Sequence, residues 1–204
     1  ALGAMDVIPM EMISAFGVFA NKGVLVEPTS ILRIEDKYDT ILQMANTTSR
    51  GVLSEETAYI MADLLQTVAS RGTGAMSRSV YQFMRPAGGK TGTTNDFTDA
   101  WYVTFTPQLV AGVWVGLDDP QLSLGPRQSG AVAALPITAP FMKAAHDTLR
   151  LPVVNFERPD GVVDVSICRE TQKIATEFCP DVIDDISAEQ YIPNETCDVH
   201  TGET

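Results

Sequence analysis

Between Gly88 and Gly116 the chain is dense in residues that favour extended backbone, and no other stretch restricts the fold as much. Trp101-Tyr102-Val103-Thr104-Phe105 is a run of aromatic and β-branched strand formers, Thr106-Pro107-Gln108 is a turn, and Leu109 to Val115 is a second strand. Strands joined by so short a connection must be antiparallel, because a parallel return needs a long crossover. Asp118-Asp119-Pro120 ends the run.

Helical patterns flank this sheet. Pro9 to Lys22 carries Ile13, Phe16, Gly17 and Ala20 at helical spacing, with proline in the first turn and Gly23 as a stop. Ser30 to Glu35 and Thr40 to Met44 are extended runs around Asp36-Lys37-Tyr38-Asp39, the pattern of a hairpin. Ser54 is placed as an N-cap, with Glu55 and Glu56 in the first turn. Ala58, Met61, Leu64, Leu65 and Val68 are expected to form that helix's apolar face, and Gly72-Thr73-Gly74 to end it. Met76 to Arg85 is expected to be irregular. A last helix over Ala131 to Leu149 contains Pro136 and Pro140, so it should start late or kink; Ala134, Leu135, Thr138, Phe141, Met142, Ala145 and Leu149 fit one face. The whole is an α+β protein, an antiparallel sheet flanked by helices. Residues 1–150 form its main part. Leu151-Pro152 and Arg158-Pro159-Asp160-Gly161 read as a linker to a Cys-containing extension, 151–204.

The chain has 204 residues, enough for one domain with a core. A net charge of -12 repels a phosphate backbone, so no nucleic-acid partner is expected. The acids gather late, at Glu177, Asp181, Asp184, Asp185, Glu189, Glu195, Asp198 and Glu203, as a solvated face. No apolar run approaches a membrane span, and no leader opens the chain. Ala1-Leu2-Gly3-Ala4 reads as the middle of something, so a piece of a longer protein is expected.

The segment with chemistry is Gly88-Gly89-Lys90-Thr91-Gly92-Thr93-Thr94. A phosphate loop would need a glycine further back and a helix after it; Tyr81 to Ala87 holds no glycine, and a strand follows. The triplet Lys90-Thr91-Gly92 resembles instead the Lys-Thr-Gly strand of serine acyltransferases that react with penicillin. Such a strand offers backbone N–H groups to an acyl oxyanion. Its glycine lets substrate lie against the backbone. Lysine adds positive charge, and Thr91 and Thr93 point to one face, where a carboxylate would bind.

The surroundings extend the likeness. Gly89 through Tyr102, then Val110-Ala111-Gly112-Val113-Trp114-Val115-Gly116, resemble the bifunctional (class A) penicillin-binding proteins. So do Ala1-Leu2-Gly3, Pro9 to Gly23, Gly72-Thr73-Gly74, Ser123-Leu124-Gly125, Pro136-Ile137, Gly161-Val162-Val163 through Cys168, Ala175-Thr176 and Phe178-Cys179-Pro180. The resemblance implies the penicillin-binding, β-lactamase-like transpeptidase fold in part. Residues 1–150 would be the C-terminal part of the transpeptidase domain. It also implies roles: Lys90 in proton traffic and substrate charge, Thr93 as an oxyanion N–H, Thr91 and Thr93 hydroxyls on a stem-peptide or β-lactam carboxylate, Gly92 keeping the strand open, and Thr94 completing the substrate-binding set. Asp99 and Trp101 receive structural roles, in a turn and in packing.

The family's Ser-x-x-Lys and Ser-x-Asn motifs are absent. Lys22, Lys37, Lys90, Lys143 and Lys173 follow Phe19, Ile34, Ala87, Pro140 and Glu170 at that spacing. Both motifs lie N-terminal to this region in the family, so this piece alone is expected to be inactive and the parent an enzyme. The parent would sit in the bacterial cytoplasmic membrane with this part outside. The partners implied are the stem peptide or a β-lactam and the missing part of the domain; low stability or self-association of the fragment follows from apolar surface left uncovered. A non-catalytic scaffold is the alternative, and a β-lactamase-like hydrolase fits the collinear matches poorly.

No cofactor is expected. His146 is read as structural. Cys168, Cys179, Cys197 and His200 are four ligand types for zinc, but Cys-x10-Cys is not a standard knuckle. Because the family works where disulfides persist, a Cys168–Cys179 disulfide or free thiols is the favoured reading, with no metal.

Overall fold

Three consecutive strands, β5 (Gly88–Thr93), β6 (Asp99–Phe105) and β7 (Val110–Gly116), form an antiparallel meander in the order β5-β6-β7, with Lys90 opposite Val103 and Trp101 opposite Trp114. This is a computed structural model, and it describes residues 6–202; Ala1-Leu2-Gly3-Ala4 and Glu203 lie outside the described residues.

Alternation along β6 sends its side chains into two cores. Tyr102 faces helix α4 (Leu135–Thr148), where Ala134, Leu135 and Ala139 bury against it. Phe105 faces helices α1 (Pro9–Ala20) and α2 (Glu55–Arg71) and meets Ala62 and Leu65. Around Phe105 the rings of Phe16, Phe19 and Phe156 lie with centroids 6.4, 6.2 and 5.7 Å away, a geometry that contributes about 0.5–1.5 kcal/mol per pair beyond area burial. α1 approaches β7 so closely that a Cβ on Gly112 would stand 2.6 Å from Ile13 Cγ1. Glycine there is a notch for Ile13.

The remaining strands are small. β1 (Val24–Val26) pairs with β4 (Ser49–Gly51), and β2 (Arg33–Glu35) with β3 (Ile41–Met44) across the Asp36–Asp39 turn. Ser54 caps α2, its Oγ accepting from Thr57 N at 3.2 Å. The buried face of α2 is Ala58, Ala62, Leu65 and Ala69, while Leu64 is 54% exposed. The expected face is thus rotated: small alanines permit close approach to the sheet, and the larger Leu64 is left outside. Met76 to Arg85, expected to be irregular, contains a short helix, α3 (Met76–Ser79), held by turns such as Val80 N to Met76 O. A π-turn at Gly130–Ala134 leads into α4, where Pro136 stands in the first turn, a position that tolerates its missing N–H. Leu135, Thr138, Ala139, Met142 and His146 are buried on α4, but Phe141 and Leu149 face outward.

Beyond α4 the chain is tied down by Arg85, which donates to the carbonyls of Leu151 and Pro152 at 2.8 Å each. It then forms a second antiparallel pair, β8 (Val162–Cys168) with β9 (Val182–Ala188). No helix among the described residues is long and apolar enough to cross a membrane.

Candidate active site

β5 lies at one margin of its sheet, with Lys90 and Thr93 exposed and Thr91 and Gly92 half-buried. Lys90 projects from the face opposite Thr91 and bends back so that its Nζ donates to Thr91 O at 2.7 Å. An ammonium has three protons, so two remain for other acceptors.

The threonines follow the strand period onto a common face. Thr91 Oγ1 lies 2.8 Å from Thr73 Oγ1, in the loop after α2. Two hydroxyls sharing one hydrogen bond leave one O–H free to donate. Thr93 Oγ1 accepts from the backbone N–H of Gly130 at 3.0 Å, so its own proton is also left to donate. The strand therefore presents two hydroxyl donors, spaced one pleat apart on one face. That set matches the two oxygens of a carboxylate.

Thr94 differs. Its Oγ1 accepts from Thr98 N and Asp99 N at 2.9 Å each and lies 2.8 Å from Thr98 Oγ1, which itself donates to Asp99 Oδ2. The Thr94 proton goes to Thr98, and the hydroxyl is spent closing the turn into β6. Asp99 also accepts from Trp114 Nε1 at 2.8 Å, locking that turn to β7. Gly92 sits opposite Trp101, where a Cβ would come within 3.1 Å of Trp101 Cβ.

Two supporting groups were not singled out in the sequence. Thr73 orients Thr91, and Gly130 N orients Thr93. The Gly72-Thr73-Gly74 motif was a signal for the first; the second has no local signature. His146 is far from this strand in role: it is fully buried, with Nδ1 2.8 Å from Met142 O and Nε2 3.0 Å from Thr106 Oγ1. A carbonyl only accepts, so Nδ1 carries a proton and Thr106 donates to Nε2. A groove of about 320 Å³ lies between α1 and the β6–β7 turn and is not lined by β5.

The margin strand with Lys-Thr-Gly, in a sheet covered by helices on both faces, defines the penicillin-binding transpeptidase fold. The chain belongs to the penicillin-binding protein transpeptidase family: residues 1–143 match the penicillin binding protein transpeptidase domain, and residues 158–202 match the penicillin-binding protein 1A C-terminal domain. It is 37% identical over 89% of its length to penicillin-binding protein 1A of Aquifex aeolicus and 36% identical over 94% to that of Clostridium tetani. It spans 24% of the length of each. The crystal structure of penicillin-binding protein 1A from Haemophilus influenzae superposes with a TM-score of 0.83 at 28% identity, over 96% of this chain and 34% of that one.

Proposed function

We propose that this chain is the Lys-Thr-Gly part of a D,D-transpeptidase domain that cross-links peptidoglycan stem peptides through an acyl-serine intermediate. In this reading the serine is supplied by the rest of the domain. Its oxygen attacks the carbonyl between the two terminal D-alanines, the C–N bond breaks, and the serine proton passes to the departing D-alanine amine. The amine of a neighbouring stem then attacks the ester, and the serine recovers a proton. A β-lactam would acylate the same serine.

The chain's own residues bind and stabilise. The free O–H groups at Thr93 and at the Thr91–Thr73 pair hold the terminal carboxylate. The N–H of Thr93 faces the oxyanion. Lys90 supplies positive charge and assists proton transfer, and Gly92 leaves room for the peptide. Thr94 contributes by shaping the turn. The observation that carries this reading is the pair of unspent hydroxyl donors on one face of an exposed strand. The parent protein would also carry a glycosyltransferase domain and a membrane anchor, with this part on the outer side.

Labelling with a fluorescent penicillin tests the proposal. The full-length gene product is expected to label covalently and this chain alone not to. In the full-length protein Lys90→Ala should slow labelling by about 100-fold or more, the scale of losing a group that stabilises transition-state charge. Full-length protein that never labels would leave the strand as inherited architecture in a non-catalytic scaffold.

A further inference from the structure

The C-terminal module, residues 158–202, has little to hold it together. Its buried side chains are Val162, Cys168, Ala188 and Cys197, so cysteine is half of the buried set. Modules near this size, about 40 residues, usually need a disulfide or a metal. The three cysteines are free thiols, and with His200 they form one cluster: Cys168 Sγ, Cys179 Sγ, Cys197 Sγ and one His200 ring nitrogen all lie within 4.8 Å of one another.

We propose that Cys168, Cys179, Cys197 and His200 form a structural zinc site that fastens the C-terminal module.

The distances fit a metal at the centre. His200 Nδ1 is 3.5 Å from Cys168 Sγ and 3.3 Å from Cys197 Sγ. Zinc bonds of about 2.3 Å to sulfur and about 2.0–2.1 Å to nitrogen place tetrahedral sulfur–nitrogen edges at about 3.6 Å. A disulfide between any two of the cysteines would leave the third thiol and the imidazole converging on nothing. Three thiolates with one imidazole are a soft, four-protein-ligand set, which selects zinc and leaves no open position for catalysis.

The surroundings orient the ligands. His200 turns Nδ1 to the sulfurs and Nε2 to Glu170 Oε2, 3.3 Å away, the carboxylate–histidine arrangement that fixes the ring of a metal ligand. Thr176 N donates to Cys179 Sγ at 3.2 Å and His200 N to Cys197 Sγ at 3.5 Å. The ligands come from the end of β8, the loop before β9 and the C-terminal segment. That segment is stitched to the loop by Cys197 N to Ile174 O at 2.8 Å. The irregular spacing that made the cysteines a poor knuckle in the sequence reflects this assembly from separate loops. The site stands independently of the transpeptidase reading.

The test is metal content of the 204-residue chain, purified with reductant, loaded with zinc chloride and desalted. One zinc per chain by plasma mass spectrometry, lost in Cys179→Ser, is expected. Cobalt(II) in its place should give thiolate charge-transfer bands and the visible bands of a tetrahedral ion. Glu170 is an exposed side chain, so Glu170→Gln should fold normally yet bind zinc about tenfold more weakly. A chain without zinc, an intact mass showing a Cys168–Cys179 disulfide after purification without reductant and with zinc, or zinc that Cys179→Ser retains would each overturn the site. Unchanged affinity in Glu170→Gln would overturn the placement of His200.

Discussion

Thr93 Oγ1 accepts a hydrogen bond of 3.0 Å from the backbone N–H of Gly130, joining the margin strand to the turn that opens α4. Gly130 is buried, so without this oxygen its N–H loses a partner that water does not readily replace. Thr93→Val is therefore expected to destabilise the chain by about 1–3 kcal/mol, while Thr93→Ser stays near the parent. Urea unfolding of the three proteins checks this; equal midpoints would show that the bond contributes nothing.

Gly130 itself has no room for a side chain. A Cβ there would run into the carbonyl oxygens of Trp101 and Gly92, both backbone atoms that cannot swing aside. Gly130→Ala is expected to cost about 3 kcal/mol or more, from strain in the packed interior. A thermal melt at the parent's temperature would contradict the packing described for this turn.

Tyr102 is an opposite case. Its hydroxyl is buried beneath Gly74 and Gly89; Ser77 and Thr104 are close enough to lower its pKa, but among the described residues no group meets it with hydrogen-bond geometry. Burial raises its pKa. Removing an unpaired buried hydroxyl forfeits no bond, so Tyr102→Phe should be neutral or stabilising by up to about 1 kcal/mol. A loss of stability in the same unfolding experiment would mean that the hydroxyl is bonded.

Thr73 reaches the strand through Thr91, its Oγ1 lying 2.8 Å from Thr91 Oγ1. In the full-length protein Thr73→Val should lower the rate of penicillin acylation about tenfold, the cost of about one misoriented hydrogen bond. Thr73→Ser should restore most of it. Stopped-flow acylation with a reporter β-lactam separates the two, and a valine variant as fast as the parent would remove Thr73 from the site.

Asp36 governs the β2–β3 turn. Its Oδ1 accepts from Tyr38 N at 2.7 Å and Thr40 N at 3.0 Å. These bonds, that from Thr40 foremost, hold its pKa below the ordinary 3.8. A depressed carboxyl stabilises the folded turn above its ordinary pKa, and that contribution is lost as pH falls through the lower, folded value. The amide resonances of Tyr38 and Thr40 should therefore titrate with a midpoint below 3.8. A midpoint at or above it would mean that the turn does not hold the carboxylate.

Which parts were legible follows from what is local. The meander was readable because β-branched and aromatic residues of β6 and β7 flank a short turn, and Ser54 because a cap lies beside the helix it caps. The rotated face of α2 was not, since Ala58, Ala62 and Ala69 carry little hydrophobic weight in a pattern yet allow the closest packing. Within the site, Lys90, Thr91, Gly92 and Thr93 came from the motif. Their partners Thr73 and Gly130 N come from 18 residues before and 37 residues after, and only the fold brings them there.

The notch that Ile13 fills at Gly112 also has a meaning in time. β5, β6 and β7 follow one another and need only short loops to close, whereas Ile13 and Gly112 are joined by most of the main domain, and closing so long a loop costs entropy before any contact repays it. The meander is therefore expected to form first and α1 to dock on it late. A substitution that crowds the notch, such as Gly112→Ala, should hasten unfolding and leave the folding limb of a chevron in place. The joint between α1 and β7 is then the latch that sets how long the native state lasts, set apart from the steps that decide how quickly it is reached.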